Sequence, residues 1–269
     1  MTVREAAVAG HFYEGEKEAL KRQVQSLIPE GLPKKKAWAV VSPHAGYPYS
    51  GLIAGETLAR IEMPHTFVLL GPNHRGKGES TAVMASGSWR MPNGLVEVNS
   101  SLAQVIMAGS RLLQEDERAH LQEHSLEVQL PFIQQLAQEF QIVPITFKSL
   151  DLKACQEIGI AIVRAIHWAS PLSITLLAST DLTHYQPQKI AEKQDKLAIN
   201  RILALDPEGL YQTVLDHRIS MCGVVPTVTA LYACQRLDAR QADLIKYMTS
   251  GDTSGDYRQV VGYAGIIVS

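Results

Sequence analysis

The chain lacks most of the features that announce a specialised class of protein. Its three cysteines, Cys155, Cys222 and Cys234, are too few and too unpatterned for a disulfide framework. No stretch approaches the ~20 consecutive apolar residues of a membrane helix. The opening segment, Met1 to His11, carries Arg4 and Glu5 where a signal peptide needs an apolar core. These absences predict a cytoplasmic address without a membrane partner. An excess of either charge is missing too: 25 Lys and Arg stand against 27 Asp and Glu. That balance excludes the concentrated positive field through which nucleic-acid binders neutralise phosphates. Lys34-Lys35-Lys36 is the one basic run, and it reads as a solvated loop between Pro33 and a strand-like segment. Internal repeats, low-complexity tracts and clear linkers are also absent, as is any coiled-coil stripe that would fix an oligomeric state. What remains is ordinary in amount: with 46% hydrophobic residues in 269, one compact domain over 1–269 has material for a substantial core.

The pattern within that material is informative. Short apolar runs rich in β-branched residues, Ala37–Ser42, Thr66–Gly71, Ile142–Phe147, Ser173–Ala178 and Val260–Val268, read as buried strands. Helix-length segments lie among them: Ser50–Ile61, Ser101–Leu113, Ser125–Phe140, Leu152–Trp168, Pro187–Leu205, Pro207–His217 and Pro226–Leu237. Such alternation predicts an α/β domain with a central, largely parallel or mixed sheet flanked by helices. Ser80–Val98, interrupted by Gly87, Pro92, Asn93 and Gly94, reads instead as a hairpin or sheet extension.

Polar clusters fall where three of the strands end. Ala37–Ser42 runs into Pro43-His44-Ala45-Gly46-Tyr47, Thr66–Gly71 into Pro72-Asn73-His74-Arg75-Gly76, and Ser173–Ala178 into Ser179-Thr180-Asp181-Leu182-Thr183-His184-Tyr185. In a parallel sheet the carboxyl ends of strands share one edge, and ligands bind there. His44, His74 and His184 are thus expected at one site although far apart in sequence. Imidazole is the commonest transition-metal ligand, and thiolate or carboxylate completes such sets. Two further segments offer candidates. In Glu123-His124-Ser125-Leu126-Glu127, Ser125 is a candidate helix cap. Cys222, before a helix start, is either a buried small hydrophobe or a thiol whose pKa the helix lowers. His65, His167 and His217 read as surface or core residues, and His11 and His120 stay open. Gly251–Tyr257 lacks the Lys-Ser/Thr of a phosphate loop, so it reads as a Gly-rich turn bordering the site.

Taken together, the segments resemble the Memo family, also labelled AmmeMemoRadiSam system protein B. The resemblance runs from Val3-Arg4-Glu5-Ala6 and Ala9-Gly10-His11-Phe12-Tyr13 through Pro43-His44-Ala45-Gly46-Tyr47 and Gly71-Pro72-Asn73-His74. It continues in Glu123-His124-Ser125-Leu126-Glu127 with Leu130-Pro131-Phe132, in Ser179-Thr180-Asp181 with His184, and in Cys222-Gly223 with Pro226. It implies a fold similar to class III extradiol dioxygenases, which hold Fe(II) with two His and one carboxylate. By the same resemblance His44 and His74 match the two histidine ligands, and Cys222 stands where the carboxylate would be. His184 matches the acid/base histidine, with Asp181 one helical turn before it to orient the ring or raise its pKa. Tyr47, Asn73, His124 and Tyr185 are expected to line a substrate pocket. Phe12 departs from animal members, which carry Trp there.

The implied function is a metal-dependent redox enzyme, dioxygenase-like, acting on a small molecule. Fe(II) is the first expectation for the cofactor, with Cu or Zn as alternatives because thiolate softens the site. Two other readings stand beside it: a non-catalytic module binding a peptide or partner protein in the same pocket, and an iron or copper handling protein. The microbial family label implies AMMECR-type and radical SAM partner proteins.

Overall fold

The computed structural model describes residues 2–169 and 173–269. Four strands form its parallel centre: β2 (Ala39–Ser42), β3 (Thr66–Pro72), β8 (Gln141–Phe147) and β9 (Ile174–Ser179). β3 pairs in parallel with β8 on one side and β9 on the other, and β9 pairs in parallel with β2. Every residue of β2, β3 and β9 is buried, as expected of strands covered on both faces. β12 (Val260–Val268) closes on β2 in antiparallel register, and β11 (Ala242–Thr249) lies antiparallel to β12. The sheet is therefore mixed, with twelve strands in all among the described residues.

The Ser80–Val98 segment is a sheet extension as predicted. It contains β4 (Thr81–Val83) and the hairpin of β5 (Ser88–Met91) and β6 (Gly94–Val98), with Gly94 at φ 127° in the turn. β1 (Val3–Glu5) adds in parallel to β5, which brings the N-terminal segment onto the sheet.

Alternation along each strand divides the core. Ala39, Val41, Val68 and Leu70 face one apolar layer, together with Ile158 and Ile162 of α5 (Leu152–Trp168) and Val228 and Leu231 of α8 (Val224–Arg236). Val40, Phe67, Leu69 and Leu177 face the other, with Leu20 and Val24 of α1 (Lys17–Leu27), Ala54 and Leu58 of α2 (Tyr47–Ala59), and Phe132 and Ile133 of α4 (Leu130–Leu136). α6 (Gln188–Leu203) and α7 (Pro207–Asp216) extend the first layer.

Several expected boundaries differ. The helix expected over Ser125–Phe140 is a 3₁₀ turn at Glu127–Gln129 followed by α4, which stops at Leu136. Ser125 caps nothing; its hydroxyl donates to the Pro72 carbonyl at 3.0 Å. The Ser101–Leu113 helix, α3 (Ser100–Ala108), is shorter because Asn99 caps it and Gly109 ends it. Gly251–Tyr257 is not only a turn: a short helix, α9 (Gly251–Ser254), precedes Gly255, which takes φ 76°. The helix α1 and the strands β1, β7 (Gln114–Glu115), β10 (His184–Gln186) and β11 had no counterpart among the segments read from the sequence. α1 lay in a polar stretch, yet Leu20, Val24 and Leu27 recur at a helical spacing that marks its buried side. β11 is half-exposed and carries Asp243 and Lys246, so its alternation is blurred.

Candidate metal centre

The carboxyl ends of β2, β3 and β9 each deliver part of one site. His44 lies in the loop between β2 and α2, and Asp181 and His184 follow β9. Cys222 arrives from a different direction, immediately before α8. Gly223 fixes that approach: a Cβ there would sit 2.4 Å from the Ser179 carbonyl oxygen, and its N–H donates to Thr180 Oγ1 at 2.9 Å. The start of α8 is thereby pressed onto the end of β9.

One ligand atom from each of His44, His74 and Cys222 lies within 4.8 Å of the other two. His44 Nε2 is 3.3 Å from Cys222 Sγ, and the His44 and His74 rings meet edge-on with centroids 5.1 Å apart. Tetrahedral ligation by two imidazoles and a thiolate separates donor atoms by roughly 3.3–3.6 Å, so small rotations close the set around one ion.

The ring tautomers suit ligation. Ser179 Oγ donates its single proton to the Ser125 carbonyl at 2.6 Å, so at 2.9 Å it accepts from His44 Nδ1–H. His44 Nε2, the nitrogen facing sulfur, therefore carries the lone pair. His74 Nδ1 lies 2.9 Å from Glu123 Oε1, an acceptor, which leaves His74 Nε2 free in the same way. This is the arrangement by which outer hydrogen bonds orient metal-binding imidazoles and raise their basicity. The supports are unequal: an anionic carboxylate stands behind His74 and a neutral serine behind His44. Gln129 secures the serine, donating to Ser179 Oγ at 3.1 Å and to Pro43 O at 2.8 Å while accepting from Ser42 Oγ at 2.8 Å.

Electrostatics keep the donors ready. Burial, with the neighbouring His74 and His124, holds the His44 imidazole well below its ordinary pKa, so it is neutral at pH 7. Burial alone would raise the Glu123 carboxyl, but hydrogen bonds from His74 and the Ser125 N–H bring it to about 2. The thiol departs from expectation. Burial and the nearby Asp181 push Cys222 far above the ordinary thiol value, outweighing the helix N-terminus; a metal cation would reverse that balance.

A second trio, His74, Glu123 and His124, also lies close enough to be weighed as a cation site. Its carboxylate is already committed. Glu123 Oε1 accepts from His74 Nδ1, His124 N and Ser125 N, each at 2.9 Å, and Oε2 accepts from His74 N at 2.6 Å. Glu123 was not singled out in the sequence; its signal was an acid adjoining a histidine in a strand-free segment.

The other expected residues fall in different places. Asp181 is buried, raised by that burial to about 6, and its Oδ1 accepts from His44 N at 2.8 Å. It steadies His44 and, through its own N–H at 3.3 Å, Cys222 Sγ. His184 is oriented by Ser220 rather than by Asp181: its Nδ1 lies 2.9 Å from the Ser220 carbonyl, and no helical turn joins 181 to 184. The carbonyl only accepts, so His184 Nε2 holds a free lone pair. His124 stacks on His74 at 4.8 Å and against Phe12 at 4.8 Å; its burial lowers it to about 4. Tyr185 stands 69% exposed with φ 57°, beside His184. Asn73 closes its own loop, donating from Nδ2 to Lys77 O at 2.7 Å. Tyr47 lies buried in the core, its ring tilted against those of Tyr13 and Phe132 and its hydroxyl donated to Val128 O at 2.7 Å, so it offers no surface to a ligand. A cleft of about 730 Å³ lies at the opposite end of strands β2, β3 and β9, beside Trp38, Met63 and Ile174, and holds none of these groups.

Known proteins resemble the chain along nearly its whole length. The family model described as Memo-like protein matches residues 4–267. A MEMO1 family protein of Methanopyrus kandleri is 42% identical, covering 98% of each chain. One from Aquifex aeolicus is 41% identical over 99% of each. Among solved structures, an uncharacterized protein of Escherichia coli K12 matches 86% of this chain and all of its own, with a TM-score of 0.60 and 13% identity, a likeness of fold alone. Matched from end to end by the family model and by relatives of this similarity, the chain belongs to the Memo family.

Proposed function

We propose that the protein holds one transition-metal ion on His44 Nε2, His74 Nε2 and Cys222 Sγ, and uses it in redox chemistry on a small hydroxyl-bearing molecule. Iron is the first choice of metal, with copper as the alternative for redox work; zinc fits the donor set but, being redox-inert, would serve only a non-redox role. The observation that carries this reading is the pair of tautomers, each fixed from outside so that Nε2 keeps its lone pair, in two rings whose ligand atoms lie within 4.8 Å of each other and of Cys222 Sγ. When bound, the metal supplies open coordination positions for substrate and for an oxidant such as O₂. His184, with Nε2 unprotonated, takes the proton from the substrate hydroxyl. Asp181 keeps His44 and Cys222 in register.

A second reading has the same pocket docking a peptide or a partner protein. The exposed Tyr185, held in a left-handed conformation beside His184, favours it. Anaerobically purified protein is assayed for metal and then for O₂ uptake over a panel of phenols and thiols. The enzyme reading predicts turnover that His184→Ala lowers by about 10²–10⁴-fold with metal retained. Metal retention without turnover across the panel supports docking or metal handling instead.

A further inference from the structure

Arg4, the fourth residue of the chain, touches no candidate ligand, yet it bonds the loop that supports His74. Its side chain is fully buried, and all three guanidinium nitrogens are used. Nε donates to His120 O at 3.0 Å, Nη2 to Glu123 O at 2.6 Å, and Nη1 bonds the Glu127 carboxylate. The guanidinium plane also covers the Trp89 ring at 4.2 Å. Glu127 is buried as well, and it accepts from Ala7 N at 2.7 Å, Val8 N at 3.0 Å and Tyr13 Oη at 2.6 Å. The N-terminal segment thus grips both ends of the 120–127 loop. The Glu123 carboxylate in the middle of that loop is what fixes the His74 ring.

We infer that Arg4 is a positioning residue for the metal centre: it holds the Glu123 main chain where the carboxylate can select the His74 tautomer that frees Nε2. The inference rests on the metal reading only for its consequence in affinity, because the tautomer is a property of the metal-free protein. A planar fork with donors on both edges is needed to reach two carbonyls and a carboxylate at once. Lysine retains the charge beside Glu127 but loses that geometry.

The test compares wild type, Arg4→Lys and Leu20→Ala, the last a control that loosens the same core without touching the clamp. Nitrogen-15 NMR of the metal-free protein at fixed pH reads the ring tautomers, and titration with Co(II) or Fe(II) reads affinity. We expect Arg4→Lys to mix tautomers at His74 while His184 keeps its own, and to weaken metal binding by about 10–100-fold, the usual cost of losing an outer-shell partner. Arg4→Lys indistinguishable from Leu20→Ala in both readouts overturns the inference. A wild type that binds no metal, with tautomers that still mix in Arg4→Lys, sinks the metal reading and leaves the positioning role standing. Should Arg4→Lys fail to fold, hydrogen exchange on the unaltered protein decides. Amides of 3–5 and of 120–125 must then open as one unit with matching protection, and unequal protection counts against the clamp.

Discussion

His74 and His44 show how a single outer hydrogen bond sets the chemistry of a ring. Glu123→Gln replaces the acceptor behind His74 with a neutral amide, and Ser179→Ala removes the one behind His44. Each is expected to lower metal affinity by about 10–100-fold without abolishing binding, measured by competition with a chromophoric chelator. Glu123→Gln is expected to cost more, since it removes a charge as well as an acceptor. Equal affinities in all three proteins would show that the rings are held some other way. His120 supplies a residue-scale test of stability. It is fully buried over Ala82 O, and burial lowers it to about 4. Its folded pKa lies below the unfolded value near 6.5, so its contribution is intact above about pH 6.5. That contribution is lost as the pH falls toward 4. The change is on the order of 3 kcal/mol. His120→Gln, which retains a donor for Ala82 O, is expected to flatten the urea-unfolding stability profile across that window. An unchanged slope would mean that His120 titrates normally.

At the scale of elements, the site depends on how closely α8 meets β9. Gly223 lies where those elements touch, with the Ser179 carbonyl and Thr180 Cβ each 2.4 Å from any added Cβ. Gly223→Ala must push the helix start away, and Cys222 moves with it. A loss of about 1–3 kcal/mol in stability is expected, together with weaker metal binding although no ligand is altered. Thermal unfolding and metal titration of the one variant check both halves. Full affinity in the destabilised protein would separate Cys222 from the packing. The same junction explains which parts of the fold were legible beforehand. β2, β3, β8, β9 and β12 are covered on both faces or nearly so, and their apolar runs declare them. α1 and β11 lie at the periphery, where polar residues share each turn with buried ones, and their patterns fade.

Across the whole molecule, residues as far apart as 44 and 181 meet because parallel strands deliver their carboxyl ends to one edge, and the start of α8, packed on the end of β9, brings Cys222 to them. Sequence could therefore bring His44 and His74 to one edge from strand order alone, while Cys222 needed the family resemblance. The supporting network was hidden for a physical reason. Arg4, Glu123, Gln129 and Ser179 act through hydrogen bonds whose partners lie far away in the chain, and no local spacing encodes them. Tyr47 was misleading for the converse reason: it follows the His44 loop in sequence, but as the first residue of α2 its ring turns into the core.

That two imidazoles and one sulfur share an ion is read directly by X-ray absorption at the metal edge. On protein loaded anaerobically with one equivalent of Zn or Fe(II), the account predicts nitrogen scatterers at about 2.0–2.1 Å and a single sulfur shell at about 2.3 Å. In Cys222→Ser the sulfur shell must vanish, and in His44→Ala the metal itself must be lost. A bound metal without sulfur in the wild type, or a spectrum untouched by either substitution, would contradict it.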